Sequence, residues 1–252
     1  MLRQTLHIVL HFLAAASALS ACSLKEGRGE CPGWYSVSAE AAGAMDVAFY
    51  AEDGTGVYER TYSAEELSSG DNAVELPVRR MAVCGVPEGF VRNGRVFVAA
   101  GQEFPEVSAF SLVVEPGRGG EEYPVSAGAL LRQYADISIR ILRSDTGAMS
   151  LSVSAPYSGF SLPSLSPSEG EYRAQARSEG DGVFRVRVPR QSGDGLRAVL
   201  QREGLEDKDI PLGRLLLDKG YDWTKADLKP AAVTVNLIGP IYNPFVDAEV
   251  DF

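Results

Sequence analysis

The chain has 252 residues, with 24 basic against 34 acidic side chains and a formal net charge of −10. That balance, with arginines scattered rather than gathered into a stripe, excludes nucleic acid as a partner. Its two histidines, His7 and His11, lie at the very start, so removal of that stretch would leave no histidine triad, histidine base or histidine metal site.

Residues 1–21 read as an export signal. Arg3 precedes an apolar run from Ile8 to Leu19, too short to remain as a membrane-spanning helix. Leu19-Ser20-Ala21-Cys22 follows. Small residues fit a peptidase cleft, and the cysteine just after them offers a thiol for acylation, which is the lipobox pattern. Cys22 is therefore the expected lipidation site. No other segment is long and apolar enough to cross a bilayer, so lipid is the expected anchor. Each buried methylene contributes about 0.8 kcal/mol, and two or three chains make the attachment stable. Residues 22–33 form a charged, glycine-containing tether. Its Ser23 suits delivery to the outer membrane, and Lys25-Glu26 resembles the signal that sends lipoproteins of the Bacteroidota to the cell surface.

The 231 residues left after residue 21 suffice for one large or two ordinary domains. Cys31 and Cys84 then share an oxidising compartment. Either they bridge, closing a loop of about 50 residues worth roughly 4 kcal/mol, or they stay as two thiols with Cys84 buried in a strand. Candidate strands cover Trp34–Glu40, Met45–Ala51, Val57–Tyr62, Ala73–Val78, Met81–Cys84, Arg95–Ala99 and Val107–Val114, separated by Gly, Asn and Asp turns. The Pro-Gly-Arg-Gly-Gly-Glu-Glu-Tyr-Pro stretch at 116–124 is the clearest break in composition. It sets a division into a domain at 34–120 and a second at 121–252.

In the second half, Ala127–Arg132 reads as a short helical turn. Ile137, Ile139 and Ile141 then alternate with polar residues, as do Met149, Leu151, Val153 and Ala155. Ser144-Asp145-Thr146-Gly147 between them predicts a hairpin. Ser161–Gly170 reads as a surface loop. Phe184, Val186 and Val188 alternate with Arg185 and Arg187, and Leu212–Lys219 reads as a helix started by Pro211 and stopped by Gly220. Tyr221 and Trp223 either pack this crossover onto a sheet or form an aromatic sugar platform. Val233, Val235 and Leu237 give another strand. The last run places Val246, Ala248, Val250 and Phe252 on one face, able to close its own sheet or to pair with a neighbour's edge. Period-2 alternation throughout indicates an all-β fold with one face of each sheet wet.

No phosphate loop, nucleophile elbow, zinc-protease helix motif, C-x-x-C pair or calcium loop is present, so neither a cofactor nor a metal is expected. Carboxylate pairs such as Glu65-Glu66 sit near turns, where solvation accounts for them. The sequence points to a protein that is not an enzyme.

A lipobox cysteine, a charged tether and Cys31-Pro32 leading into the first strand resemble the FimB-like fimbrial subunits of the Bacteroidales. Leu131-Arg132-Gln133-Tyr134-Ala135-Asp136-Ile137-Ser138-Ile139 is similar to the start of that family's second domain. Ile210-Pro211-Leu212-Gly213 and Gly220-Tyr221-Asp222-Trp223-Thr224 are similar to its crossover before the closing strands. The resemblance implies two tandem antiparallel β-sandwich domains of transthyretin-like topology. It also implies an outer-membrane lipoprotein that anchors or completes a type V pilus, with fimbrial subunits as partners joined by β-strand addition. The alternative is a surface lipoprotein that binds a glycan or host protein through its loops.

Overall fold

The computed structural model describes residues 31–91, 94–142 and 147–237, together with the backbone of 249–251. It is mostly β, and its strands enclose two apolar cores.

The first core begins with β1 (Gly33–Ser38), which sends Tyr35 and Val37 inward. Its neighbours are β4 (Val74–Leu76), antiparallel, and β8 (Glu122–Ser126), parallel. The other wall is β3 (Gly56–Tyr62), β2 (Met45–Ala51), β5 (Met81–Pro87), β7 (Ser108–Val114) and β9 (Leu131–Arg132), in that order and antiparallel throughout. The alternation of Met45, Val47 and Phe49 along β2 supplies its inward face, as the sequence predicts. A six-residue helix, α1 (Ala64–Ser69), has a reciprocal cap: the Ser63 hydroxyl accepts from the Glu66 N–H, and the Glu66 carboxylate accepts from the Ser63 N–H. Gly70 ends the helix in the left-handed region, and Leu67 is its buried contact.

The second core lies between β13 (Arg177–Gly180), β14 (Val183–Pro189), β10 (Tyr134–Leu142), β17 (Ala231–Asn236) and β18 (Glu249–Asp251) on one side, and β12 (Ser166–Gln175), β11 (Met149–Ser161), β15 (Arg197–Arg202) and β16 (Lys208–Ile210) on the other. A short strand from the first half, β6 (Arg95–Phe97), pairs with the end of β11. Helix α2 (Leu212–Asp218) buries Leu212 and Leu216 against this core, at the place the sequence predicts.

The two cores meet through β5 and β7. Met81 and Val83 on β5 face the first core and Val86 the second; on β7, Phe110 faces the first and Ala109 the second. Cys84 shares the parity of Val86, so its side chain leaves β5 on the face turned away from the core that β1 covers. That geometry fits the second of the two alternatives: Cys84 is a thiol buried in a strand, and Cys31, itself buried, is not bridged to it in this structure.

Four expectations change. The strands β10 and β11 are not a hairpin: β10 pairs with β14 and β17, while β11 pairs with β12 and β15. Both bury one face, a property that strands opposed across a core share with strands side by side; of the predicted turn, residues 144–146 lie outside the described residues. Each core also has a parallel pair, β1 with β8 and β10 with β17, where purely antiparallel sheets were expected. The chain passes through the opposite sheet and α2 before β17, which supplies the long crossover a parallel pair requires. Ser161–Gly170 is mostly strand, with residues 162–165 turning β11 into β12. Ala127–Arg132 holds no helix; Ala127 and Leu130 pack on the first core, and Leu131–Arg132 is β9.

Candidate functional site

Four sheets present open edges, and the sequence directs attention to the C-terminal one. Val246, Ala248 and Phe252 lie outside the described residues; Val250 belongs to β18, whose backbone runs antiparallel to β17 with Val250 opposite Val233. The chain's own end thus occupies that edge. The β3 edge is longer. Six of its seven residues pair with β2, on one side only, and Glu59, Arg60 and Thr61 in its middle are exposed. An edge of that kind leaves backbone N–H and C=O groups for an incoming strand, and charged residues at its centre oppose indiscriminate pairing. Cys22 lies outside the described residues.

Beside β4, one stretch of edge is closed by a side chain. β4 reaches only Gly33–Tyr35 of β1. Beyond it, the Asn72 Oδ1 accepts from the Val37 N–H at 2.7 Å, and the Asn72 Nδ2 donates to the Val37 carbonyl at 2.6 Å. One buried amide therefore does the work of a paired residue. Next to it, Ser38–Ala41, Leu67–Ser68 and Ser126–Ala129 line a cavity of about 880 Å³.

The two second-half segments that carried the resemblance are brought together by a residue that sequence reasoning missed. Arg190 is 8% exposed, just after β14. Its guanidinium donates to the carbonyls of Trp223, Lys225, Arg132 and Ala226, and it has no carboxylate partner among the described residues. Burial pushes its pKa down. Ending one strand, it clamps Arg132, ahead of β10, to the 223–226 turn that follows α2. Nothing in a Pro-Arg-Gln triplet announces this, because the acceptors are backbone groups 33 to 58 residues away.

Outside this clamp, Asp136 accepts from Arg132 at 2.9 Å and from Arg187 at 3.0 Å, and both guanidinium carbons lie over the Tyr134 ring, at 4.3 and 5.0 Å from its centroid. Tyr221 and Trp223 meet edge to face at 4.9 Å and are each 4% exposed. They pack the crossover onto the sheet, and the sugar-platform reading of Trp223 is overturned by its burial. A cavity of about 390 Å³ opens beside them, lined by Arg190, Gln191, Asp222 and Thr224 among others. Among the described residues no three metal-ligating side chains cluster, and no helix is long and apolar enough to cross a membrane.

No family model matches the sequence, and no curated protein does, but the fold is shared with solved fimbrial and adhesin proteins. The fimbrial anchor protein Mfa2 of Porphyromonas gingivalis superposes with a TM-score of 0.60 at 11% identity, over 82% of this chain and 91% of its own. A candidate adhesin from Bacteroides ovatus gives 0.59 at 12% identity, over 91% and 95%. A Bacteroides thetaiotaomicron protein described as a candidate polysaccharide-binding protein gives 0.57 at 11%, over 83% and 92%.

Proposed function

We propose that the mature chain is a non-catalytic outer-membrane lipoprotein, fixed by lipid on Cys22, that serves as a fimbrial anchor or accessory subunit and joins its neighbours by β-strand addition. The observation that carries this reading is the fold shared with the Porphyromonas fimbrial anchor across more than four-fifths of both chains. In this reading the body is two tandem sandwiches of transthyretin-like topology. β8, which pairs with β1, and β9, which pairs with β7, then go with the first sandwich, and the second begins at β10.

The physical role follows from what the surface offers. Open edges supply unmet backbone groups in rows, and a row of main-chain hydrogen bonds gives affinity without a pocket. In this reading the terminal segment that carries β18 leaves β17 to pair with a neighbour, and the β3 edge receives a neighbour's strand. Deleting residues 246–252 tests the first route. Loss or shortening of pili with unchanged amounts of the truncated protein supports it; normal pili would count against it.

A further inference from the structure

The outer face of the β4–β1–β8 sheet holds an arrangement that neither the open edges nor the Arg190 clamp uses. Tyr35 and Val37 point into the first core, so Trp34 and Ser36 point outward. Trp34 is 46% exposed. It stands in register with Glu75 on β4 and with Glu122 on β8, both exposed. In-register neighbours share a face, and adjacent strands lie about 4.8 Å apart. The indole therefore stands between two carboxylates.

Several strand-borne acids are paired. Asp136 pairs with Arg132, Glu179 with Arg185, and Asp209 with Arg197. Glu75 and Glu122 have no cation or hydrogen-bond donor among the described residues.

An indole face with an unpaired carboxylate on each side is complementary to a cation. The ring quadrupole attracts positive charge over its face. A guanidinium fits better than an ammonium, because it is planar, stacks on the ring and offers donors in a fork to acids on both sides. We propose that this face is a docking site for an arginine side chain presented by a partner protein. Flanking negative charge opposes an acidic sugar and adds nothing for a neutral one, and a chain of net charge −10 favours a basic partner at long range. The site uses a sheet face and not an edge, so it stands or falls independently of strand addition.

Trp34 and Trp223 are the only tryptophans, which makes the test direct. The indole N–H resonances of the mature chain are followed by NMR during titration with N-acetyl-arginine-N-methylamide, its citrulline counterpart and maltose. The Trp34 signal is expected to move saturably with the arginine probe alone, while the buried Trp223 signal stays put. The double variant Glu75→Gln, Glu122→Gln should bind about fivefold or more weakly and lose its salt dependence. Trp34→Ala, followed through the Ser36 amide, should abolish the response. Three results would overturn the proposal: an equal response to citrulline, an unchanged affinity in the double variant, or a response to maltose instead. A response appearing only after Lys25→Gln and Arg28→Gln would also overturn it, assigning the face to this chain's own tether.

Discussion

Arg190 is the residue on which most of the second half's geometry converges. A buried guanidinium is costly to desolvate, and here four carbonyls offset that cost in place of a counter-ion. Arg190→Met should lower the unfolding free energy by about 2–4 kcal/mol, measured in urea, since it strands buried acceptors. Arg190→Lys should recover little, because one ammonium cannot span acceptors on both sides of the clamp. A wild-type urea midpoint in either variant would refute the clamp. Burial also sets a response to alkali. It pushes the Cys84 thiol from near 9 up to about 12, and the Tyr221 phenol from 10 up to about 12. Both groups stay protonated in the folded chain after the unfolded chain has begun to lose its protons. The folded state then binds more protons, so stability falls as pH rises from about 9 toward 12. Thermal unfolding followed across that range should show the decline, and Cys84 should resist thiol reagents at pH 8 until the chain is unfolded. Little of this was legible beforehand. Cys84 was visible as a cysteine inside a strand pattern, but which face of β5 it would take depends on a second core behind that strand. Arg190 had no pattern at all.

At the scale of elements, alternation located strands well and paired them poorly. Met45–Ala51 was read residue for residue, and α2 within one residue at its end. The β10–β11 hairpin failed because period-2 patterning reports which side of a strand is buried and not which sheet it joins. The crossing of β6 into the second core was equally hidden. Its physical requirement is Gly159: a Cβ there would lie 1.8 Å from the Val96 carbonyl oxygen and 2.8 Å from the Phe97 Cα. Gly159→Ala should detach β6 from β11, seen as rapid hydrogen exchange at residues 95–97 while the amides of β10 remain protected. Retained protection at 95–97 would show that the close approach is not what holds β6. A smaller test concerns α1. The Ser63-x-x-Glu66 pair ahead of Leu67, with Gly70 beyond, is a helix signature present in the sequence, and Glu66 is a cap rather than only a solvated turn residue. Ser63→Ala should cost about 1 kcal/mol of stability in urea unfolding.

For the whole molecule, β5 and β7 face both apolar cores, so the two core regions share strands. Composition bears on the proposed role: without histidine after residue 21, the mature chain has no histidine-based chemistry. The extent of the first core was harder to read, because the glycine-rich stretch at 116–124 looks like a linker yet leads straight into β8 of the first core. Local composition marks a flexible turn and says nothing of which sheet receives the next strand. Shared strands matter to the proposed role, since a subunit held at one end by lipid and at another by a strand must carry load between them.

The measurement that tests this account most directly is recovery of the lipidated protein from its native cells in mild detergent, with bound chains identified by mass. The account predicts acyl chains on Cys22 and fimbrial subunits in near-equal amount, lost when residues 246–252 and the β3 edge are both altered. An unacylated protein recovered without fimbrial subunits would contradict it.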